Sequence, residues 1–187
     1  TLSLIVPCLN EADGLGSFLA RCEVVAAGCP GCRFEYLFVD DGSSDATFSQ
    51  AELALRGENA VVLRHSSNRG IGAALKTGVR HCAAEWVTFM PADGQIPPSA
   101  VTTLLEAAEA QPVDIVFSSY ERRDDGLHRT VMSFGLRALI FAIHGVALRS
   151  EGPYLFRRAL FEPDALPPDT FFLNFEFPIR MLVAKRR

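Results

Sequence analysis

Glu85-Trp86-Val87-Thr88-Phe89-Met90-Pro91-Ala92-Asp93-Gly94-Gln95 is the stretch that decides how this chain folds. Trp86 to Met90 is a short apolar run of strand-forming residues, and it stops at Pro-Ala-Asp-Gly. It reads as a buried strand whose carboxyl end opens into a turn. An acid at that lip sits where open α/β sheets bind ligands, which makes Asp93 the first candidate. Asp beside Gly is also ordinary turn chemistry, so Asp93 gains meaning only if other strand ends deliver acids to the same edge.

Working outward, the same grammar repeats. Leu2 to Val6 reads as a first strand ended by Pro7-Cys8-Leu9-Asn10-Glu11, and Leu15, Phe18, Leu19, Cys22 and Val25 follow at helical spacing. Phe34 to Val39 is a second strand broken by Asp40-Asp41-Gly42-Ser43-Ser44-Asp45, where Ser44 or Asp45 can cap a helix to about Arg56. Ala60 to Leu63 is a third strand, and Asn68-Arg69-Gly70-Ile71-Gly72 leads into a helix reaching Ala83. After the fourth strand, a helix from Pro97-Pro98-Ser99 precedes a fifth strand, Val113 to Phe117. Strand–helix alternation with short connections predicts an α/β fold: a doubly wound, mostly parallel sheet with helices on both faces.

Beyond Tyr120 the character changes. A charged run, Glu121 to Arg129, precedes the nearly continuous apolar stretch Val131 to Leu148. Arg137 and His144 make a membrane span costly, which leaves a core helix or a helix lying on a membrane surface. All-round apolar character favours the core helix. A short strand, Pro153 to Phe156, and the segment Phe171 to Val183 complete the chain.

Composition narrows the function classes. At 187 residues with 49% hydrophobic and 21% charged residues, the chain reads as one folded domain, 1–187. Eighteen basic against 22 acidic residues give a net charge of −4, which disfavours a nucleic-acid partner. Five cysteines without a disulfide-framework spacing suit a reducing, cytoplasmic compartment. The terminal Lys185-Arg186-Arg187 suits a position at the cytoplasmic face of a membrane. The chain starts at Thr1 and reads as trimmed at both ends. Cys29-Pro30-Gly31-Cys32 precedes a strand and lacks a second pair, so it reads as a turn and not a zinc or redox site. His65, His81, His128 and His144 are scattered and read as structural or exposed.

The strand ends carry the chemistry. Glu11, Asp40, Asp41 and Asp93 follow strands one, two and four, which share one edge in a parallel sheet. Converging carboxylates can hold a divalent cation that bridges a diphosphate, or accept hydrogen bonds from a base or ribose. Alone, Asp40-Asp41-Gly42-Ser43 reads equally as a turn and helix cap. Gly70-Ile71-Gly72-Ala73-Ala74-Leu75 fails the dinucleotide fingerprint, and Leu75-Lys76-Thr77 lacks the glycine of a phosphate loop. No zinc-protease or serine-hydrolase motif occurs.

Leu4 to Glu11, Val39 to Asp45, Asn68 to Ala74 and Ala92 to Gln95 together resemble family 2 glycosyltransferases of the GT-A fold, with a polyprenyl-phosphate (dolichyl-phosphate mannose synthase-like) subgroup as the nearest likeness. The resemblance covers about the first hundred residues in order and spacing. It implies that Pro7, Leu9, Glu11, Asp40 and Asp41 line the base and ribose pocket of a UDP- or GDP-sugar. Asp93 would be the catalytic, metal-binding acid for Mg²⁺ or Mn²⁺, with Gln95 beside the sugar or diphosphate. Arg122, Arg123 or Arg129 would bind phosphate. The donor half would be 1–95 and the acceptor half 96–187, taking a lipid phosphate or a glycan, with peripheral membrane contact. A phosphate acceptor needs no general base; for a hydroxyl acceptor, Glu176 is the nominated acid.

Three departures bear on this expectation. Pro91 stands where the first acid of the D-x-D motif would be, so a metal site would lean on Asp93, phosphate and water. Ser118-Ser119-Tyr120 replaces a Gly-aromatic-Arg pattern, and Leu148 takes a position that is often Asp. The alternative readings are a non-catalytic nucleotide-sugar binder of the same fold and a sugar-phosphate nucleotidyltransferase. The latter expects a glycine-rich basic loop after strand one, where Pro7 to Glu11 has neither glycine nor lysine.

Overall fold

The computed structural model describes residues 1–55, 59–119, 127–148, 152–167 and 169–184, with the side chains of 127–134 left aside. Every residue of β1 (Leu2–Cys8) is buried. A continuous apolar run of this kind suits a parallel strand covered on both faces, and β1 takes the inner position of the sheet. It pairs in parallel with β2 (Phe34–Asp40) and with β4 (Trp86–Phe89), placing Ile5 opposite Leu37 and Phe89. With β3 (Ala60–Arg64), β5 (Ile115–Phe117) and β6 (Tyr154–Arg157) the order is β3-β2-β1-β4-β6-β5. Strand β6 runs antiparallel to both its neighbours, and the other pairings are parallel. The expected mostly parallel, helix-covered sheet is therefore what forms.

Alternation along the strands divides the core in two. Leu4, Val6 and Phe38 face α1 (Ala12–Ala27) and α4 (Ser99–Ala110) through Leu15, Phe18, Val101 and Leu104. Ile5, Leu37, Val39 and Phe89 face α3 (Ile71–His81) and α6 (Leu173–Val183) through Leu75, Val79 and Phe177. Successive strand side chains point to opposite faces, so each strand supplies both clusters. Tyr154, fully buried in β6, ties α6 to the sheet, with its ring 4.9 Å from Phe89 and 5.8 Å from Phe177.

Helix α3 lies close against its neighbours because its inward residues are small. A Cβ on Gly78 would sit 2.5 Å from Cγ2 of Ile5, and one on Gly72 would sit 2.5 Å from the Thr170 carbonyl oxygen. Residues 169–170 strap the start of α3: the Ala73 N–H donates to the Asp169 carbonyl at 2.9 Å, and Lys76 Nζ meets Asp169 Oδ1 at 2.7 Å. The Lys76 hydrogen bond holds the Asp169 carboxyl below its ordinary range.

Two expectations need correction. Pro7 does not end β1: the strand runs on to Cys8 against Val39 and Asp40 of β2. The last β1–β4 ladder pair is Ile5–Phe89, and beyond it Pro7, without an N–H to give, still accepts at its carbonyl from the Ala92 N–H at 3.3 Å. The apolar stretch after the charged run forms α5 (Leu127–His144), but its described part is not a core helix. Leu136, Leu139, Phe141 and Ile143 are 40–65% exposed. Ile140 is buried, packed with Leu148 and Ile179 and bordered by Phe175 and Leu182, so the helix rests on α6 by one edge and outside the sheet. All-round apolar character marked a helix with no committed face, which sequence periodicity does not distinguish from a buried one. Among the described residues no helix is long and apolar enough to cross a membrane.

Gly72→Ala should destabilise the fold by about 1–3 kcal/mol, because the new methyl meets backbone of the 169–170 strap and not a yielding side chain. Urea denaturation checks this; an unchanged midpoint would mean the strap does not hold that position in solution.

Candidate active site

The turns after β1 and β2 are laced together by side chains that each replace a missing backbone partner. Asn10 takes a left-handed backbone (φ 56°), which Asn tolerates better than most residues. Its Oδ1 accepts from the Ser44 N–H at 2.9 Å, while its own N–H donates to Ser43 Oγ at 2.9 Å. The Glu11 N–H donates to Thr47 Oγ1 at 2.8 Å, and the Ala12 N–H to Asp45 Oδ2 at 3.2 Å. Asp45 also accepts from the Thr47 N–H at 2.9 Å, which anchors the start of α2 (Thr47–Ala54). Its carboxyl is held below the ordinary range by the Thr47 hydroxyl and N–H.

Asp40 and Asp41 are neighbours with different employments. Asp40 is buried; its Oδ1 accepts from the Ser43 N–H at 3.1 Å and its Oδ2 lies 3.0 Å from Arg64 Nε. That second contact is an ion pair without hydrogen-bond alignment, and Arg64 also donates to the Ser43 carbonyl at 3.0 Å. Asp40 thus braces its own turn. Asp41 reaches across to the β3–α3 connection. Its Oδ1 accepts from the Arg69 N–H at 2.9 Å and faces His65 Nδ1 at 2.7 Å, and its Oδ2 accepts from the Gly70 N–H at 2.7 Å. Gly42 makes this crossing possible: at φ 79° its backbone passes so near Ser67 that a Cβ would lie 2.5 Å from the Ser67 carbonyl carbon.

These ties close a cavity of about 260 Å³ at the carboxyl ends of β1, β2 and β4. Pro7, Leu9, Glu11 and Asp41 line it, opposite Asn68, Gly70, Ile71 and Ala74, with Pro91 and Asp93 beside them. Its volume lies near the lower end of the roughly 300–1,000 Å³ usual for small-molecule sites, enough for part of a nucleotide-sized ligand. A larger cavity, about 590 Å³, is lined by Thr1, Arg33, Glu35, Asn59 and Glu85 among others. It sits at the amino ends of the strands, where open α/β sheets do not build their ligand sites. Size is outweighed here by position and by the convergence of acids.

Charge inside the smaller cavity is unbalanced. Burial raises the Glu11 carboxyl above its ordinary value, and the negative charges of Asp93 and Asp45 add to the rise. Burial likewise pushes the Cys8 thiol up to about 12, helped by Asp40 and Glu11, so this lining cysteine stays protonated and is a poor nucleophile. Asp93 is exposed, with Oδ1 accepting from the Gln95 N–H at 2.9 Å across its own turn. Arg21 packs against that turn, its Nη2 2.7 Å from where a Cβ on Gly94 would stand.

The structure thus brings Pro7, Leu9, Glu11, Asp41 and Asp93 together and leaves Asp40, Gln95 and Glu176 off the cavity lining. Glu176 pairs with Arg180 at 2.7 Å along α6. Arg122 and Arg123 lie outside the described residues, as does the side chain of Arg129. Among the described residues no group of three or more His, Cys, Asp or Glu is placed to hold a metal ion. Sequence reasoning did not assign the wall formed by Asn68, Gly70, Ile71 and Ala74 or the role of His65. The signal available was the run of small residues Gly70, Gly72, Ala73 and Ala74, which marks a close backbone approach.

The strand order and the cavity at the strand ends define a nucleotide-sugar transferase fold of the GT-A type. Mannosyl-3-phosphoglycerate synthase from Rubrobacter xylanophilus shares it with a TM-score of 0.68 at 24% identity, over 86% of this chain and 54% of its own. Glucosyl-3-phosphoglycerate synthase from Mycobacterium tuberculosis, in complex with Mn²⁺, UDP and phosphoglyceric acid, gives 0.65 at 23%, over 86% and 56%. The profile of the family described as Glycosyl transferase family 2 matches residues 3–166, and the chain belongs to that family. Among curated relatives, undecaprenyl-phosphate 4-deoxy-4-formamido-L-arabinose transferase of Edwardsiella ictaluri (strain 93-146) is 32% identical over 153 residues, 81% of this chain and 46% of that protein. Dodecaprenyl-phosphate galacturonate synthase of Rhizobium johnstonii (strain DSM 114642 / LMG 32736 / 3841) is 30% identical over 154 residues, 81% and 45%. The chain spans about half the length of the curated relatives it matches.

Because Asp93 contributes to the raised Glu11 carboxyl, Asp93→Asn should bring the Glu11 pKa down, read by carbon-detected NMR titration. A carboxyl raised on folding gives stability that is complete below its unfolded value, about 4.3, and is lost as pH rises through the folded one. The substitution should therefore recover stability on the neutral side of that window. An unmoved Glu11 would show that the two acids do not sense each other.

Proposed function

We propose that this chain is the catalytic part of a glycosyltransferase that moves a sugar from a UDP- or GDP-sugar to polyprenyl phosphate by inverting displacement at the anomeric carbon. The observation that carries the reading is the single cavity in which Glu11, Asp41 and Asp93 converge from three strand ends of a family 2 chain. Residues 1–95 make the donor half and 96–187 the acceptor half. Pro7, Leu9, Glu11 and Asp41 receive base and ribose, with Asp40 setting the turn behind them and Gln95 fixing the Asp93 carboxylate through its N–H.

The fit to a divalent cation rests on the chain's own charge. Three carboxylates line the cavity, and beside burial the charge of Asp93 raises Glu11, a repulsion that a cation and a diphosphate together would relieve. With no three-ligand cluster among the described residues, the residues suit Mg²⁺ or Mn²⁺ held by Asp93 and otherwise by the donor's phosphates and water. Bound there, the ion would offset the charge developing on the leaving nucleoside diphosphate. The acceptor phosphate is already ionised, so displacement requires alignment and not a general base. Glu176, paired with Arg180, would take a proton only from a hydroxyl acceptor such as a glycan. Arg122, Arg123 and Arg129 supply guanidinium groups suited to the acceptor phosphate or the diphosphate.

A lipid acceptor is supported by apolar surface on the acceptor half. Leu136, Leu139, Phe141 and Ile143 of α5 are exposed, and Phe171 and Phe172 beside α6 reach the same region through Phe175. Surface of this kind suits peripheral contact with the cytoplasmic face of a membrane. A second reading, a nucleotide-sugar binder without transfer, is favoured by Pro91 in place of an acid. Calorimetry with UDP- and GDP-sugars, with and without Mn²⁺, followed by a donor-hydrolysis assay, separates the two: binding without any turnover selects the second.

For the transferase reading, Asp93→Ala should lower transfer to polyprenyl phosphate by about a hundredfold or more with little change in thermal midpoint, since the side chain is exposed and outside the core. Undiminished turnover would sink the assignment of Asp93.

A further inference from the structure

His65 is a buried imidazole with both nitrogens engaged. Nδ1 faces Asp41 Oδ1 at 2.7 Å, and Nε2 faces Thr77 Oγ1 of α3 at 2.9 Å. Asp41 already accepts from two backbone N–H groups, so it is the acceptor toward the ring, and the Nδ1 proton belongs to the imidazole. The Thr77 hydroxyl then has Nε2 as its acceptor. A carboxylate has about four lone-pair positions. Arg69 N–H and His65 fill both on Oδ1, and Gly70 N–H fills one on Oδ2. The acceptor position that remains is on Oδ2, in a residue that lines the cavity.

We propose that His65 is a positioning residue of the donor pocket: by filling the second position on Oδ1 it orients Asp41, which itself holds the Arg69 and Gly70 N–H groups, so that the last Oδ2 lone pair is offered to a ligand N–H. The inference rests on reading this cavity as the donor site. It assigns His65 no contact with the donor. The chemistry that would use the free position is a ring or amide N–H of a nucleobase, a group that needs an acceptor of fixed direction. Structural packing alone does not require a histidine here, because an apolar residue of similar volume would fill the space without demanding partners at both ends.

Three proteins test this: the unaltered chain, His65→Leu and His65→Asn. Leucine keeps bulk without a donor, and asparagine restores an N–H near the place of Nδ1. By calorimetry with UDP- and GDP-sugars, His65→Leu should bind roughly ten- to a hundredfold more weakly, by analogy with the loss seen when a metal ligand's hydrogen-bond partner is removed. His65→Asn should recover most of that loss. Long-range ¹H–¹⁵N spectra of the unaltered protein should show the His65 proton on Nδ1 and a bare Nε2, a readout that stands even if the leucine variant fails to fold. Equal binding by His65→Leu, failure of asparagine to rescue a folded variant, or a proton on Nε2 with Nδ1 bare would each overturn the inference. If the unaltered chain binds neither nucleotide-sugar, the donor-site reading itself falls, and the inference falls with it.

Discussion

The carboxylate of Asp41 is the interaction on which the site's shape depends. It stands at the end of β2, yet its three hydrogen-bonding partners all belong to the segment between β3 and α3. His65 is buried, so its ring N–H without Asp41 would be a buried donor lacking a partner, at about 1–3 kcal/mol. The charge therefore does two things with one side chain. It holds Arg69 and Gly70 in the turn that starts α3, and it leaves the cavity wall opposite Glu11 and Asp93 in a defined place. Loops at the carboxyl edge of a sheet have no ladder to fix them; here a carboxylate substitutes for one.

Small residues make that arrangement reachable. Asp41 spans to the neighbouring turn only because Gly42 lets the backbone run close to Ser67, and α3 starts where it does only because Gly70 adopts φ 93°. Further along the same helix, Gly72 admits the 169–170 strap and Gly78 admits Ile5. The strap adds the Lys76–Asp169 pair, which links the segment leading into α6 to the helix that forms the cavity wall. The earlier and later parts of the chain are thus joined through α3, by close backbone approach and by the ion pairs Lys76–Asp169 and Arg80–Asp164.

Much of this was legible in the sequence because it is written in period and punctuation. Apolar runs ended by Pro, Gly and Asp located β1, β2 and β4 and the shared edge where their acids gather. The difference between Asp40 and Asp41 was not legible. Consecutive strand residues point to opposite faces, so one of the pair turns to Arg64 and the other to His65, and no local signal says which faces the cavity. From sequence His65 reads only as a structural or exposed histidine, because both its partners are distant, 24 residues to Asp41 and 12 to Thr77. Helix α5 misled for another reason. Its apolar residues go all round, and burial of such a helix is decided by what covers it, which lies beyond the reach of composition.

Pro91 takes on a clear meaning once the charges are placed. With an acid at that position, a fourth carboxylate would join Glu11, Asp41 and Asp93 at a cavity where burial and repulsion already raise Glu11. Proline removes that charge and, lacking an N–H and free rotation about φ, stiffens the entry to the turn that presents Asp93. On the transferase reading the cost would fall on a cation held by Asp93, which would lose a ligand and depend more on the donor's phosphates. An ion held mainly by phosphates would bind well only with the nucleotide present, so on that reading metal and donor affinities would rise together. On the transferase reading, the same economy extends to the acceptor: an ionised phosphate brings its own nucleophilic charge, and a carboxylate such as Glu176 can remain tied to Arg180.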